Sequence, residues 1–201
     1  MVVGDSISAH YHPYLERHLG PSFEYAWAGG GDSSRVLTQL QDRQGAGSLD
    51  VDVMLLNCGL HDIKTDPATG AKQVPRDEYE QNLRDIVKLL DASGVMLIWV
   101  RTTPCDEAVH NKADMEFHRF AADCEAYNHA ADEIMAASGV ELLDLHGFTL
   151  QLGEGVYCDH VHFHDGVRQQ QAAFISGWLS HWLKVHHTAN DAPVSRRHSR
   201  D

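Results

Sequence analysis

Short, densely apolar stretches alternate along this chain with longer stretches whose apolar residues recur at helical spacing, and that alternation admits few folds. Residues 51–56 and 95–100 read as fully buried strands, the type that has both faces covered. Residues 1–3, 23–28 and 140–145 read as three more. Between them, Tyr79, Leu83, Ile86, Val87 and Leu90 make one apolar helix face that stops at Ser93-Gly94. Leu15 and Leu19 lie four apart on a helix over 12–19, ended by Gly20-Pro21, and Val36, Leu37 and Leu40 share a face after a cap at Ser33 or Ser34. Phe117, Phe120, Ala121, Cys124, Tyr127, Ala131, Ile134 and Met135 form a long stripe, and a final helix over 166–185 buries Ala172, Ile175, Leu179 and Leu183. Five strands alternating with helices predict an α/β domain: a parallel sheet covered on both faces, with right-handed crossovers.

In such a sheet the ligand crevice lies beyond the carboxyl ends of the strands. Gly4-Asp5-Ser6 occupies that position after the first strand, where glycine lets the backbone bend sharply. A serine hydroxyl is a poor nucleophile unless an imidazole is within hydrogen-bond reach and a carboxylate orients that imidazole. Asp159 and His162, on one short loop some 150 residues later, offer both groups. Alone, Gly-Asp-Ser reads equally as a turn or a helix cap. Two further loops add weight: Gly29-Gly30-Gly31-Asp32-Ser33 after the second strand, and Asn57-Cys58-Gly59-Leu60-His61-Asp62 after the third.

Four such blocks in this order resemble the SGNH, or GDSL-type, hydrolase family of esterases and acylhydrolases. Gly4-Asp5-Ser6 matches its first block, Gly31 before Asp32-Ser33 its second, and Asp159 to His162 its last Asp-x-x-His block. The third block of that family reads Gly-x-Asn-Asp; here it is Gly59-Leu60-His61-Asp62, with histidine in place of asparagine. The resemblance covers residues 1 to about 185. It implies a single-domain, three-layer, flavodoxin-like fold with strand order 2-1-3-4-5. It also implies Ser6 as nucleophile, His162 as base, Asp159 as the orienting carboxylate and no cofactor. The oxyanion donors it implies are the backbone N–H groups of Ser6 and Gly31 and a side chain of the third block. A neutral imidazole N–H at His61 can donate in the asparagine's stead, and Asn57, four residues earlier, is the alternative. Asp62 reads as a loop tether rather than a reactant.

Composition narrows the partners. A formal charge of −13 excludes nucleic acid and anionic membrane surfaces, both of which require a basic face. No stretch reaches the ~20 apolar residues of a membrane helix. The cysteines at 58, 105, 124 and 158 lack metal-type spacing and read as free thiols, although a Cys58–Cys158 bond stays open because both flank candidate loops. No signal-type segment precedes the first strand, but a trimmed leader would leave the same start, so the compartment is left unassigned, as is the oligomeric state. Residues 186–201 are polar and basic and read as a tail. The expected reaction is hydrolysis of a small acyl ester by a serine esterase, with O-acetylated carbohydrate as the first substrate class. Thioesterase or lysophospholipase activity is the alternative within the class. A metal-dependent hydrolase built on His160, His162 and His164, and a binding protein on a decayed hydrolase scaffold, are the rivals outside it.

Overall fold

A computed structural model of the chain describes residues 1–112 and 115–190. Five parallel strands form one sheet in the order β2-β1-β3-β4-β5, with β1 at Val2–Gly4, β2 at Trp27–Gly29, β3 at Val53–Leu56, β4 at Met96–Val100 and β5 at Glu141–Leu143. The order reverses at β1, so the carboxyl ends of β1 and its neighbours flank the crevice. Val2, Val3, Met54, Leu56, Ile98, Trp99 and Leu143 are all buried, which accounts for their densely apolar runs. β2, an edge strand with Trp27 exposed, carries no such run, and it spans Trp27–Gly29 rather than the expected 23–28.

Among the described residues seven α-helices surround the sheet: α1 at Ser6–Leu19, α2 at Ser33–Gly45, α3 at Arg76–Ala92, the short α4 at Glu107–His110, α5 at Ala121–Ala137, α6 at Leu145–Leu150 and α7 at Asp165–Asn190. α1 packs chiefly on α7, while α3 packs on both α2 and α5. Two differences from the sequence reading bear on the site. α1 begins at Ser6 rather than near residue 12, because Asp5 caps it by accepting from the Ile7 N–H at 2.9 Å. α5 begins at Ala121, so Phe117 and Phe120 belong to the preceding loop rather than to the helix stripe. α7 runs on to Asn190, past the expected end, and residues 191–201 lie outside the described residues. All four cysteines are free, with Cys58 buried and Cys158 exposed, so no bond joins that pair.

Candidate active site

Ser6 stands at the first position of α1, directly beyond the carboxyl end of β1, and is exposed. Its N–H belongs to the first helical turn, whose donors lack an intrahelical carbonyl and sit at the positive end of the helix dipole. Asp5 is buried beneath it. Burial raises the Asp5 carboxyl above the usual range, against the opposing pull of the Ile7 N–H and the Arg119 charge.

His162 arrives from the other end of the chain because α1 and α7 pack together, an arrangement pinned by the Tyr14 hydroxyl donating to Asp165 at the start of α7. Just before α7 the chain makes a small hairpin, in which Tyr157 bridges Phe163 and the Cys158 N–H donates to the His162 carbonyl at 2.8 Å. Val161 and Phe163 are buried and fasten the hairpin to the core, leaving His162 between them directed to the crevice. Asp159 organises the loop with both oxygens. Oδ1 accepts from the N–H groups of Val161 (2.9 Å) and His162 (2.7 Å), and Oδ2 lies 2.7 Å from His162 Nδ1. With Nδ1–H donating to Asp159, Nε2 is free to accept the Ser6 hydroxyl, 2.8 Å away. Partial burial alone would raise the Asp159 carboxyl; the two backbone N–H groups and the imidazole outweigh it and hold the group well below the usual carboxylate range.

The glycine loop after β2 lies against this turn. The Gly30 N–H donates to the Gly4 carbonyl at 2.6 Å, and a Cβ on Gly30 would come within 3.2 Å of the Gly4 backbone, a tight contact that would push the two loops apart by a few tenths of an ångström. Among the described residues neither the Ser6 N–H nor the Gly31 N–H has a protein acceptor. The third block is held from behind. Thr102 Oγ1 (3.0 Å) and Tyr79 OH (3.3 Å) donate to the Cys58 carbonyl, and Arg119 Nε donates to the Leu60 carbonyl at 2.6 Å. Gly59 has φ of 150°, and a Cβ there would sit 2.4 Å from Thr102 Oγ1, so no other residue fits. Asp62 is the tether expected of it: Oδ1 accepts the Ser33 N–H at 2.8 Å, joining the second block to the third.

The two candidates for the third donor differ in what already engages them. Asn57 Nδ2 donates to the Val100 carbonyl (2.7 Å) and to Thr102 Oγ1 (3.2 Å), so both amide hydrogens are committed inside the sheet edge. The His61 ring makes no hydrogen bond to another protein group among the described residues. Burial, aided by the Lys64 and Arg119 charges, lowers it to about 4, which keeps it neutral at pH 7. His160, His162 and His164 do not converge: His164 is exposed, and among the described residues no three His, Cys, Asp or Glu side chains are grouped to hold an ion. Arg101, at the end of β4, pairs with Asp132 and Asp144.

Two residues of the site escaped the sequence reading. Arg119 and His110 are both buried, and Arg119 Nη1 donates to His110 Nε2 at 2.6 Å. The available signal was an arginine inside the apolar segment Phe117-His118-Arg119-Phe120, where a helix face would have no place for it.

A 2-1-3-4-5 sheet with a serine on the turn after β1 and a histidine hydrogen-bonded to it defines the class, an ester hydrolase of the SGNH type. The sequence profile of the GDSL-like lipase/acylhydrolase family matches residues 2–167, and the chain belongs to that family. No match is found among curated protein sequences. Similar solved structures include an acetyl xylan esterase, AlAXEase (17% identity, TM-score 0.68, covering 89% of this chain and 98% of the other). A GDSL-like lipase from Bacteroides thetaiotaomicron gives 16% identity and a TM-score of 0.69 over 90% and 87% of the two chains. A carbohydrate acetylesterase from Sinorhizobium meliloti gives 12% and 0.68 over 90% and 98%.

Proposed function

We propose that this chain hydrolyses small acyl esters with Ser6 as nucleophile, His162 as general base and Asp159 as the carboxylate that orients it, and that its substrates are O-acetylated carbohydrates. The observation that carries this reading is the unbroken hydrogen-bond relay Ser6 Oγ–His162–Asp159, at 2.8 and 2.7 Å. Ser6 attacks the ester carbonyl while His162 Nε2 takes its proton, and the same imidazole returns that proton to the leaving alcohol. Water then repeats the sequence on the acyl-enzyme. Asp159 stabilises the transient imidazolium and stays ionised, in keeping with its lowered carboxyl.

Three donors serve the oxyanion: the N–H of Ser6, the N–H of Gly31 and the neutral imidazole of His61. The first two are supported by the lack of any protein acceptor among the described residues, and His61 is favoured over Asn57 because the Asn57 amide is already committed. The substrate class is supported by the two structural relatives whose names specify acetyl xylan and carbohydrate acetyl esters. The direct test is labelling with a fluorophosphonate probe followed by peptide mapping. A single adduct on Ser6, blocked by prior incubation with acetylated xylo-oligosaccharide, is expected. An unlabelled Ser6 in folded protein would remove the nucleophile assignment.

A further inference from the structure

Arg119 stands out among the charged residues because it is 4% exposed yet pairs with no carboxylate among the described residues. A buried cation ordinarily has an anion beside it, since desolvation without a partner is costly. Here the guanidinium is held by neutral groups. Nε donates to the Leu60 carbonyl, Nη1 donates to His110 Nε2, and the Phe117 ring lies 4.9 Å from the guanidinium carbon. Nη2 has no protein acceptor among the described residues. The backbone is fixed as firmly, because the Asn111 side chain accepts the Arg119 N–H (2.8 Å) and donates to its carbonyl (2.7 Å).

This cation is next to the reaction centre. The peptide it holds, Leu60–His61, belongs to the third block, and its charge reaches Asp5, the residue before Ser6. A line of rings connects it to the base: His110 lies 4.8 Å from His160, and His160 lies 6.1 Å from His162. His160 is partly exposed and its Nδ1 is buried without a partner. Lys64 stands over the same Phe117 ring at 4.7 Å, adding a second positive charge. Of the acids around it, Asp159 is engaged on His162, while Asp5 caps α1 with Oδ1, leaves Oδ2 without a hydrogen bond among the described residues and acts on Arg119 through space. A chain of net charge −13 thus keeps beside its nucleophile a buried cation that no carboxylate hydrogen-bonds among the described residues, with Asp5 offsetting it only through space.

We propose that Arg119, with His160 and Lys64, receives a carboxylate borne by the alcohol part of the ester, so that the substrate is an O-acylated acidic sugar or hydroxy acid. The proposal rests on the serine esterase reading for the reaction, but not for the binding. A carboxylate supplies the acceptor that Nη2 lacks. It also faces His160, whose protonation burial and the Arg119 charge now oppose.

The test uses Ser6→Ala protein, which binds without turnover, titrated calorimetrically with two ester pairs. One pair is methyl 3-O-acetylglucuronoside and its uncharged uronamide; the other is O-acetyllactate and its amide. The acid of at least one pair should bind about ten- to a hundredfold more tightly than its amide, the range of one charge-assisted contact. Preference in the first pair identifies an acidic sugar, and preference confined to the second identifies a simple hydroxy acid. Equal or weaker binding of both acids, or no binding of either acid at millimolar concentration, overturns the proposal. Adding Arg119→Gln or His160→Gln should bring the ratio toward one. A ratio unchanged in both, or in His160→Gln alone if Arg119→Gln does not fold, also overturns it. If the acid preference stands while the wild type cleaves none of the four esters and Ser6 takes no probe, the esterase reading fails and the carboxylate site remains.

Discussion

The two edges of the sheet contrast in what they enclose and in what holds them. At the amino edge, where β1, β3 and β4 begin, a groove of about 750 Å³ is lined by Leu15, Leu19, Tyr25, Leu179, Trp182 and Leu183, with Asp50 and Asp52 among its polar groups. At the carboxyl edge the chain instead makes five tight loops tied to one another by hydrogen bonds: Gly30 to Gly4, Ser33 to Asp62, Arg119 to Leu60 and Ser6 to His162. The amino edge has the volume and the carboxyl edge has the chemistry. A large apolar hollow needs only that side chains fail to meet, whereas a reactive serine needs a base and a carboxylate held in line. Changes at the carboxyl edge should therefore reduce turnover and leave the fold intact, and changes at the amino edge should do the reverse.

The largest effect should come from His162. His162→Ala removes the proposed base, whose ring nitrogens bond to Ser6 and Asp159, and kcat for 4-nitrophenyl acetate should fall by about 10⁴ or more. His164→Ala, an exposed neighbour on the same hairpin, should stay within a few-fold of wild type. Equal losses in the two variants would shift the chemistry from the relay to the loop as a whole. Next in size is His61, the one departure from the family pattern. Loss of one oxyanion donor typically lowers kcat by about 10²–10³ with little change in KM. His61→Ala should show that signature and His61→Asn should regain a good part of it. Steady-state kinetics of both variants check this, and a His61→Ala enzyme at wild-type kcat would leave His61 a loop residue.

At the opposite edge the readout changes. Leu15 is fully buried beside the groove, and Leu15→Ala should cost about 2–5 kcal/mol of stability, or roughly 5–15 °C in the thermal melt. Its kcat per folded molecule at 25 °C should stay within twofold of wild type, and a tenfold loss would mean the edges are coupled. Asp62 gives the smallest effect and tests the ties themselves. Burial raises its carboxyl to about 7, against the opposing bonds from Ser33, so the folded state holds a proton that the unfolded chain releases near pH 4. Its contribution therefore becomes more destabilising as pH rises from about 4 to about 7, then levels off. Asp62→Asn removes that dependence. The melting temperature of the variant minus that of the wild type should increase by a few degrees between pH 4 and pH 8, and a flat difference would mean Asp62 is ionised throughout.

The same contrast explains what could be read from the chain. Central strands declare themselves, because residues such as Met54–Leu56 and Leu97–Val100 are covered on both faces and must all be apolar. Of the candidate triad, Ser6 could be placed because it directly follows the first strand, whereas Asp159 and His162 were picked out by their Asp-x-x-His spacing and the order of the blocks. Harder to read were features whose partners are distant in sequence. The start of α1 depends on a cap by Asp5 and is disguised by the polar run Ser8-Ala9-His10 with Pro13 beyond it. α6, at Leu145–Leu150, is a single short turn in what reads as loop, begun by the Asp144 side chain accepting from the Gly147 N–H. Arg119 was hidden by its neighbours, since Phe117 and Phe120 continue the apolar stripe of α5 although both precede that helix. Nor does sequence alone separate Asn57 from His61 as donor. The two hydrogen bonds that the Asn57 amide gives to the neighbouring strand end are what favour His61 in the proposal.

The central claim is that Ser6 does the chemistry and bears almost none of the fold, and one paired measurement addresses it. Ser6 is exposed, and among the described residues its hydroxyl hydrogen-bonds to His162 alone. Ser6→Ala and wild type, purified side by side, should be compared for acetyl ester hydrolysis and for thermal unfolding. The account predicts a loss of at least about 10⁴ in kcat with melting temperatures within about 2 °C of each other. Ser6→Ala protein that unfolds at the same temperature and still turns over ester at a rate near that of wild type would contradict it.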